Sequence, residues 1–151
     1  MHALEFATSA HAGQKRKYTF EDYITHPIAI SEMVGYYLDE SEKYYEEAVT
    51  AALLHDVVED TLVTIEQIRD KFGPVVAKFV WFLTDPDVFV GNRAERKALT
   101  NSRLALAPRE VKVIKHFDII HNKASIEKYD PDFAVKFNQE KAALYKAMGK
   151  F

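Results

Sequence analysis

The chain has no cysteine among its 151 residues, which excludes disulfides and any thiolate metal site. It is also poor in the residues that punctuate structure. With 5 glycines and 5 prolines, long regular segments are expected rather than frequent turns. No convincing period-two alternation of apolar and polar residues occurs, so nothing argues for a sheet. No apolar run approaches the ~20 residues of a membrane span, and the N-terminus lacks a signal-peptide core. A formal net charge of −3 argues against nucleic-acid binding by bulk electrostatics, while leaving room for a local basic pocket that takes a small anion. These absences together predict a cytoplasmic protein with neither a nucleic-acid nor a membrane partner. They say nothing of oligomeric state.

What is present is helix. A composition 48% hydrophobic and 28% charged is ordinary for a globular chain, and residues 1–151 are expected to form one domain with its own core. Apolar spacing predicts helices over roughly 2–12, 27–38, 43–59, 64–72, 74–84, 92–105, 109–127 and 131–148. Thr64 and Gln67 form a capping box. Phe72-Gly73-Pro74 ends one helix and begins the next, and Asp130-Pro131 repeats that start signal. The predicted fold class is all-α, a single bundle of about eight helices. Two loops stand out. Gly13 to Thr25 is polar, basic and aromatic at once, and Asp85-Pro86-Asp87 with Gly91-Asn92 brackets the other, after which Arg93, Arg96 and Lys97 fall on a helix start.

The densest chemistry is the run Leu53-Leu54-His55-Asp56-Val57-Val58-Glu59-Asp60-Thr61, which closes an alanine-rich apolar stretch. An imidazole and three carboxylates at the end of a core segment are costly unless a cation or hydrogen bonds compensate them. Adjacent His and Asp deliver one nitrogen and one oxygen ligand from a single rigid element, as a divalent metal requires. Two further segments complete a ligand set. His26 precedes a proline suited to the first turn of a helix, and Asp118 lies on an apolar helical run with Asn122 one turn on. The candidate metal ligands are therefore His26, His55, Asp56 and Asp118. This mixed set suits manganese, iron or zinc and leaves positions for water and substrate. Any one member alone reads as a locally satisfied histidine or a solvated aspartate; the four together make the case. Glu59 and Asp60, one turn beyond the ligands, can orient water or accept its proton, and as acidic residues at a helix C-terminus they oppose the macrodipole.

The spacing H…HD…D resembles the HD superfamily of metal-dependent phosphohydrolases. The words AHAGQKRK, YITHP, AALLHDVVEDT, FG, LTD and VIKHFDIIHN, in that order from about Leu4 to about Ser125, resemble the hydrolase domain of the RelA/SpoT family, especially its small single-domain alarmone hydrolases. The resemblance implies a guanine nucleotide as the small-molecule substrate. It also implies Mn2+, or another divalent ion, as cofactor, and hydrolysis of the 3′-pyrophosphate of guanosine tetra- or pentaphosphate. Glu59 and Asp60 would be catalytic. Arg16 would contact the nucleotide with Lys17 beside it, Lys115 and Asn122 would reach phosphate or ribose, and Arg93 and Lys97 the distal pyrophosphate. His11 and His121 are given no role. The chain departs from the family pattern at Ile119, where a basic residue is usual after the last metal ligand, and at His116 and Phe117. Its loop between Gln14 and Tyr23 is one residue longer and lacks a glycine-glutamate-proline turn. These departures bear on which nucleotide is used. The alternatives are an HD phosphohydrolase acting on a 5′-monophosphate or the 2′-phosphate of NADPH, and a nucleotide-binding module that does not hydrolyse.

Overall fold

A computed structural model describes residues 2–151. Among them are nine helices: α1 (Ala3–Ala10), α2 (Thr25–Tyr37), α3 (Tyr45–Leu54), α4 (Val57–Asp60), α5 (Ile65–Phe72), α6 (Pro74–Leu83), α7 (Arg93–Ala105), α8 (Arg109–Tyr129) and α9 (Pro131–Met148). No strand occurs in this span beyond a single bridge between Lys15 and Asp22, so the all-α expectation holds.

The centre of the bundle is α3. Its buried side chains are Ala48, Ala51, Ala52 and Leu54, and three alanines on one short helix let α2, α6 and α8 approach it closely. The facing core is branched and aliphatic: Ile30 and Val34 from α2, Val80 from α6, and Val111 and Ile114 from α8 are all fully buried. α9 then packs along α8 and α7. Local signals fix the ends. Thr64 Oγ1 accepts from the Gln67 amide while Gln67 Oε1 accepts from the Thr64 amide, the expected capping box. Asn92 and Glu95 form a second box at the start of α7 that the sequence reading did not identify.

Two boundaries differ from expectation. α2 begins at Thr25 rather than at Pro27, so His26 is already helical and the proline sits within the first turn, where a missing N–H costs nothing. The predicted helix over 43–59 is two helices, α3 and α4, broken at His55–Asp56. The break has a local cause. In an unbroken helix the Ala52 carbonyl would accept from the Asp56 amide; here His55 Nδ1 takes that carbonyl at 2.7 Å, and Asp56 turns out of register at φ −103° and ψ −2°.

The basic loop before α2 is more ordered than its composition suggests. The Arg16 amide donates to the Glu21 carbonyl at 2.8 Å, the Tyr23 amide to the Gln14 carbonyl at 2.9 Å, and Lys15 pairs with Asp22. The Tyr18 hydroxyl reaches Asp130 at 2.8 Å and ties the loop to the α8–α9 junction. Phe20 turns the corner at φ +60°, an unfavourable conformation for a residue with a Cβ, and its ring is 75% exposed.

Candidate metal centre and its clefts

The break between α3 and α4 aims two neighbouring side chains at one point. His26 from α2 and Asp118 from α8 meet them there, and one ligand atom from each of the four residues lies within 4.8 Å of the others. His26 Nε2 is 2.9 Å from Asp118 Oδ1, and His55 Nε2 is 3.0 Å from Asp56 Oδ2 and 3.4 Å from Asp118 Oδ1. Metal–ligand bonds of roughly 2.1 Å set cis ligands about 3.0 Å apart, so these separations fit a common ion.

The imidazoles are oriented for that use. His55 Nδ1 is committed to the Ala52 carbonyl, which puts the proton there and leaves Nε2 a lone pair. That Nε2 is buried and has no partner in hydrogen-bonding geometry, an expensive arrangement unless a cation occupies the gap. The electrostatics agree. Burial works against charge on His55, yet the carboxylates of Asp56 and Asp118 raise its pKa well above the ordinary range. They favour positive charge at this nitrogen, and proton and metal compete for the same lone pair. His26 Nδ1 lies 2.7 Å from His121 Nδ1. Burial, with the positive fields of His26 and Arg16, pushes His121 down to about 4. A neutral His121 accepts from His26 Nδ1–H and leaves His26 Nε2 facing the cluster. The residues present therefore fit a divalent cation.

Carboxylate behaviour divides along the cleft. Burial alone would raise Asp118, but Lys115 and the two imidazoles hold it well below the usual range. Asp56, partly buried, is held down to about 2 by His55. Glu59 is pushed up to about 7 by desolvation in the cleft and by the negative charges of Asp85 and Asp56. Asp60 rises to about 6 through the same desolvation and the nearby Asp56. Glu59 Oε1 accepts from the Asp85 amide at 2.7 Å, which fixes its position across the cavity.

α8 presents the other side. Lys115, Asp118 and Asn122 recur at three and four residues and so share one face. Lys115 Nζ donates to Asp118 Oδ2 at 3.1 Å, and Asn122 Nδ2 to Asp118 Oδ1 at 3.1 Å. Arg16 Nη1 donates to Asn122 Oδ1 at 3.0 Å, which links the basic loop to this face. Lys115, Asp118 and Asn122 line a cavity of about 180 Å³ together with Glu59, Asp60, Asp85 and Ile119. Through Tyr23 and Asn122 it adjoins a cleft of about 260 Å³ bordered by Arg16, Lys17 and Tyr18. Through Glu59, Asp60 and Asp85 it adjoins a larger one of about 580 Å³ bordered by Arg93, Arg96, Lys97 and Phe89.

The candidate residues other than the buried His26 and His55 thus line one set of adjoining clefts, and those two histidines meet its carboxylates from behind; not all are equally free. Lys17 is exposed at the rim. The Arg93 guanidinium is engaged by Glu140 through two contacts of 2.9 Å. Arg96 is spent on the Val88 and Gly91 carbonyls. The unusual His116 and Phe117 point away from the centre: His116 Nδ1 meets the Tyr145 hydroxyl at 2.7 Å, and Phe117 packs edge-on against Tyr37. Of the departures on α8, Ile119 is the one that lines the cavity.

Sequence reasoning missed three contributors. Tyr23 donates from its hydroxyl to Asp56 Oδ2 at 2.6 Å. Asp85 holds Glu59, and the word LTD was the available signal for it. His121, left without a role, is the partner of His26.

The family described as HD domain matches residues 3–150. A guanosine-3′,5′-bis(diphosphate) 3′-pyrophosphohydrolase of Haemophilus influenzae is 35% identical over 92% of the chain, which spans only 20% of that protein. A protein of the same description from Danio rerio is 30% identical over 87% of this chain and 71% of its own length. The solved structure of a metazoan ortholog of SpoT that hydrolyzes ppGpp superposes with a TM-score of 0.82 at 27% identity, covering 97% of this chain and 83% of that one. With the family matched along nearly its whole length, the chain belongs to the HD domain family.

Proposed function

We propose that the chain is a metal-dependent phosphohydrolase that removes the 3′-pyrophosphate of guanosine tetra- or pentaphosphate, giving GDP or GTP and pyrophosphate. One observation carries this reading: the Glu59–Asp60 pair opens onto the same small cavity as Asp56 and Asp118 of the imidazole–carboxylate quartet, between two clefts that carry basic groups. The similarity to the Danio rerio hydrolase, along most of both chains, supports the same substrate.

His26, His55, Asp56 and Asp118 would hold the ion, with manganese suited to two nitrogens and two carboxylate oxygens. When bound, a divalent ion supplies Lewis acidity that acidifies water and draws charge from a phosphoryl oxygen. The protein's own groups do the rest. Glu59, held by the Asp85 amide and with a carboxyl near 7, is poised to accept the proton of the attacking water at neutral pH. Asp60 orients that water from the adjacent position. Lys115 stays protonated beside Asp118 and neutralises the charge that builds on the phosphate oxygens. Arg16, braced by Asn122, lies where a guanine base and ribose would enter, with Tyr23 and Tyr18 supplying aromatic faces. Lys97 would meet the phosphates on the far side. The substrate would locate this reaction in the cytoplasm.

The test is product analysis with ppGpp and manganese, run on the wild type and on Glu59→Gln. GDP and pyrophosphate from the wild type, a loss of about 10²–10⁴-fold in the variant and unchanged metal content are expected. Absence of turnover by metal-loaded wild type overturns the reading.

Ile119 favours a second one. An uncharged wall in the reaction cavity suits a less highly charged nucleotide, such as a 5′-monophosphate or the 2′-phosphate of NADPH. Release of inorganic phosphate from a nucleotide panel, with none of pyrophosphate from ppGpp, would decide for it.

A further inference from the structure

α9 turns a stripe toward the bundle that recurs at alternating three- and four-residue steps: Ala134, Phe137, Lys141, Leu144 and Met148. Four of the five are buried apolar residues; the fifth is a lysine. A lysine in such a stripe normally lays its stem on apolar surface and returns its head to bulk water. In Lys141 the ammonium itself lies over an apolar ring, with Nζ 5.2 Å from the Phe137 centroid, and the residue lines the cavity that holds Asp56, Lys115 and Asp118.

The two lysines of this cavity differ in one respect. Lys115 is paired with Asp118 at 3.1 Å, whereas the Lys141 ammonium has no hydrogen bond or ion pair among the described residues. Burial and the positive fields of Lys115 and Lys97 bring Lys141 down to about 8, against the opposing pull of Asp118 and Asp85, neither of which pairs with it. A half-buried ammonium is costly to keep without a counter-charge, and an anion entering the cavity supplies one.

We propose that Lys141 is a binding residue for the pyrophosphate group of the substrate, contributed to the metal cavity from the core stripe of α9, and that it favours two linked phosphates over one. This rests on the reading of the cavity as a pyrophosphohydrolase centre. Lys115, spent on Asp118, has less to offer a second phosphate, and Lys141 supplies the charge that a longer anion needs.

The experiment is calorimetric titration of manganese-loaded protein with inorganic pyrophosphate and, separately, inorganic phosphate. Wild type is compared with Lys141→Met, Lys141→Gln and Lys141→Arg. Methionine suits the apolar stripe, so that variant is expected to fold, with a melting temperature equal to or above that of the wild type; glutamine provides a second neutral substitution. The expected result is a tenfold or greater loss of pyrophosphate affinity in both neutral variants, less than threefold loss in the arginine variant, and little change for phosphate. With ppGpp as substrate the loss should fall on KM more than on kcat. Wild-type pyrophosphate affinity in either folded neutral variant overturns the proposal, as does failure of the metal-loaded wild type to bind pyrophosphate. If ppGpp is not turned over yet the variants lose pyrophosphate selectively, the assignment of Lys141 stands and the substrate reading alone falls.

Discussion

The two sides of the reaction cavity are built on opposite plans. On the side of Asp118 the carboxylate is tied to protein: it meets His26, Lys115 and Asn122, and Asn122 in turn meets Arg16. On the side formed by α7 and α9, Arg93 and Arg96 are engaged by Glu140 and by loop carbonyls, but Lys97 and Lys141 reach the cavity system without such ties. The tied side holds its geometry whether or not a ligand is present, which is what electrostatic preorganisation requires. The untied side keeps its charge available and gains its partners from the ligand.

The sharpest way to break this contrast is Asp118→Ala. It removes a candidate metal ligand and leaves Lys115 buried without its carboxylate. Turnover should fall by ~10³-fold or more, and stability by about 3–5 kcal/mol for the broken buried pair, read from steady-state rates and urea unfolding. Intact metal content in this variant would refute the ligand assignment. A smaller effect is expected one layer out. His121→Ala takes away the acceptor of His26 Nδ1–H, and metal affinity should drop about 10–100-fold, measured by competition with a chelating dye. An unchanged affinity would mean that the 2.7 Å contact between the two imidazoles orients nothing.

Glu59 tests the electrostatics of the cavity through pH. Its folded pKa is raised from 4.5 to about 7, so the folded protein prefers it protonated, and stability is lost as pH rises between those values. In metal-free protein Glu59→Gln should therefore raise the melting temperature more at pH 8 than at pH 5, and loading the ion should shrink the difference. An equal effect at both pH values would contradict the raised pKa. The smallest expected change concerns the basic loop. Phe20→Gly relieves a positive φ at an exposed corner and should stabilise by up to about 1 kcal/mol in thermal unfolding; a net loss would show that the strain at this corner is smaller than the chain entropy a glycine adds.

Much of this was legible before folding. The quartet could be read because its members sit in short local words, His-Asp at a core segment's end and His-Pro at a helix start, which survive as chemistry without knowledge of packing. The fold class followed from periodicity and from scarce glycine and proline. The break at His55–Asp56 was not legible, since apolar spacing continues through it and the interruption depends on one imidazole taking one carbonyl. Tyr23 and Asp85 join the site only through packing of distant segments. Lys141 had a signal that went unread: a charge at a position where the stripe of α9 demands an apolar side chain.

His26 and Asp118, whose side chains touch, are 92 residues apart in sequence. A cation shared by them would close most of the chain into a loop and act as a reversible crosslink spanning α2, α3–α4 and α8. The unfolded chain can keep that crosslink only by surrendering loop entropy. An ion at a hundred times its dissociation constant would add about 2.7 kcal/mol to the folded state. Metal supply would then set the lifetime of this protein as well as its turnover, and starvation for the ion would be felt first as degradation.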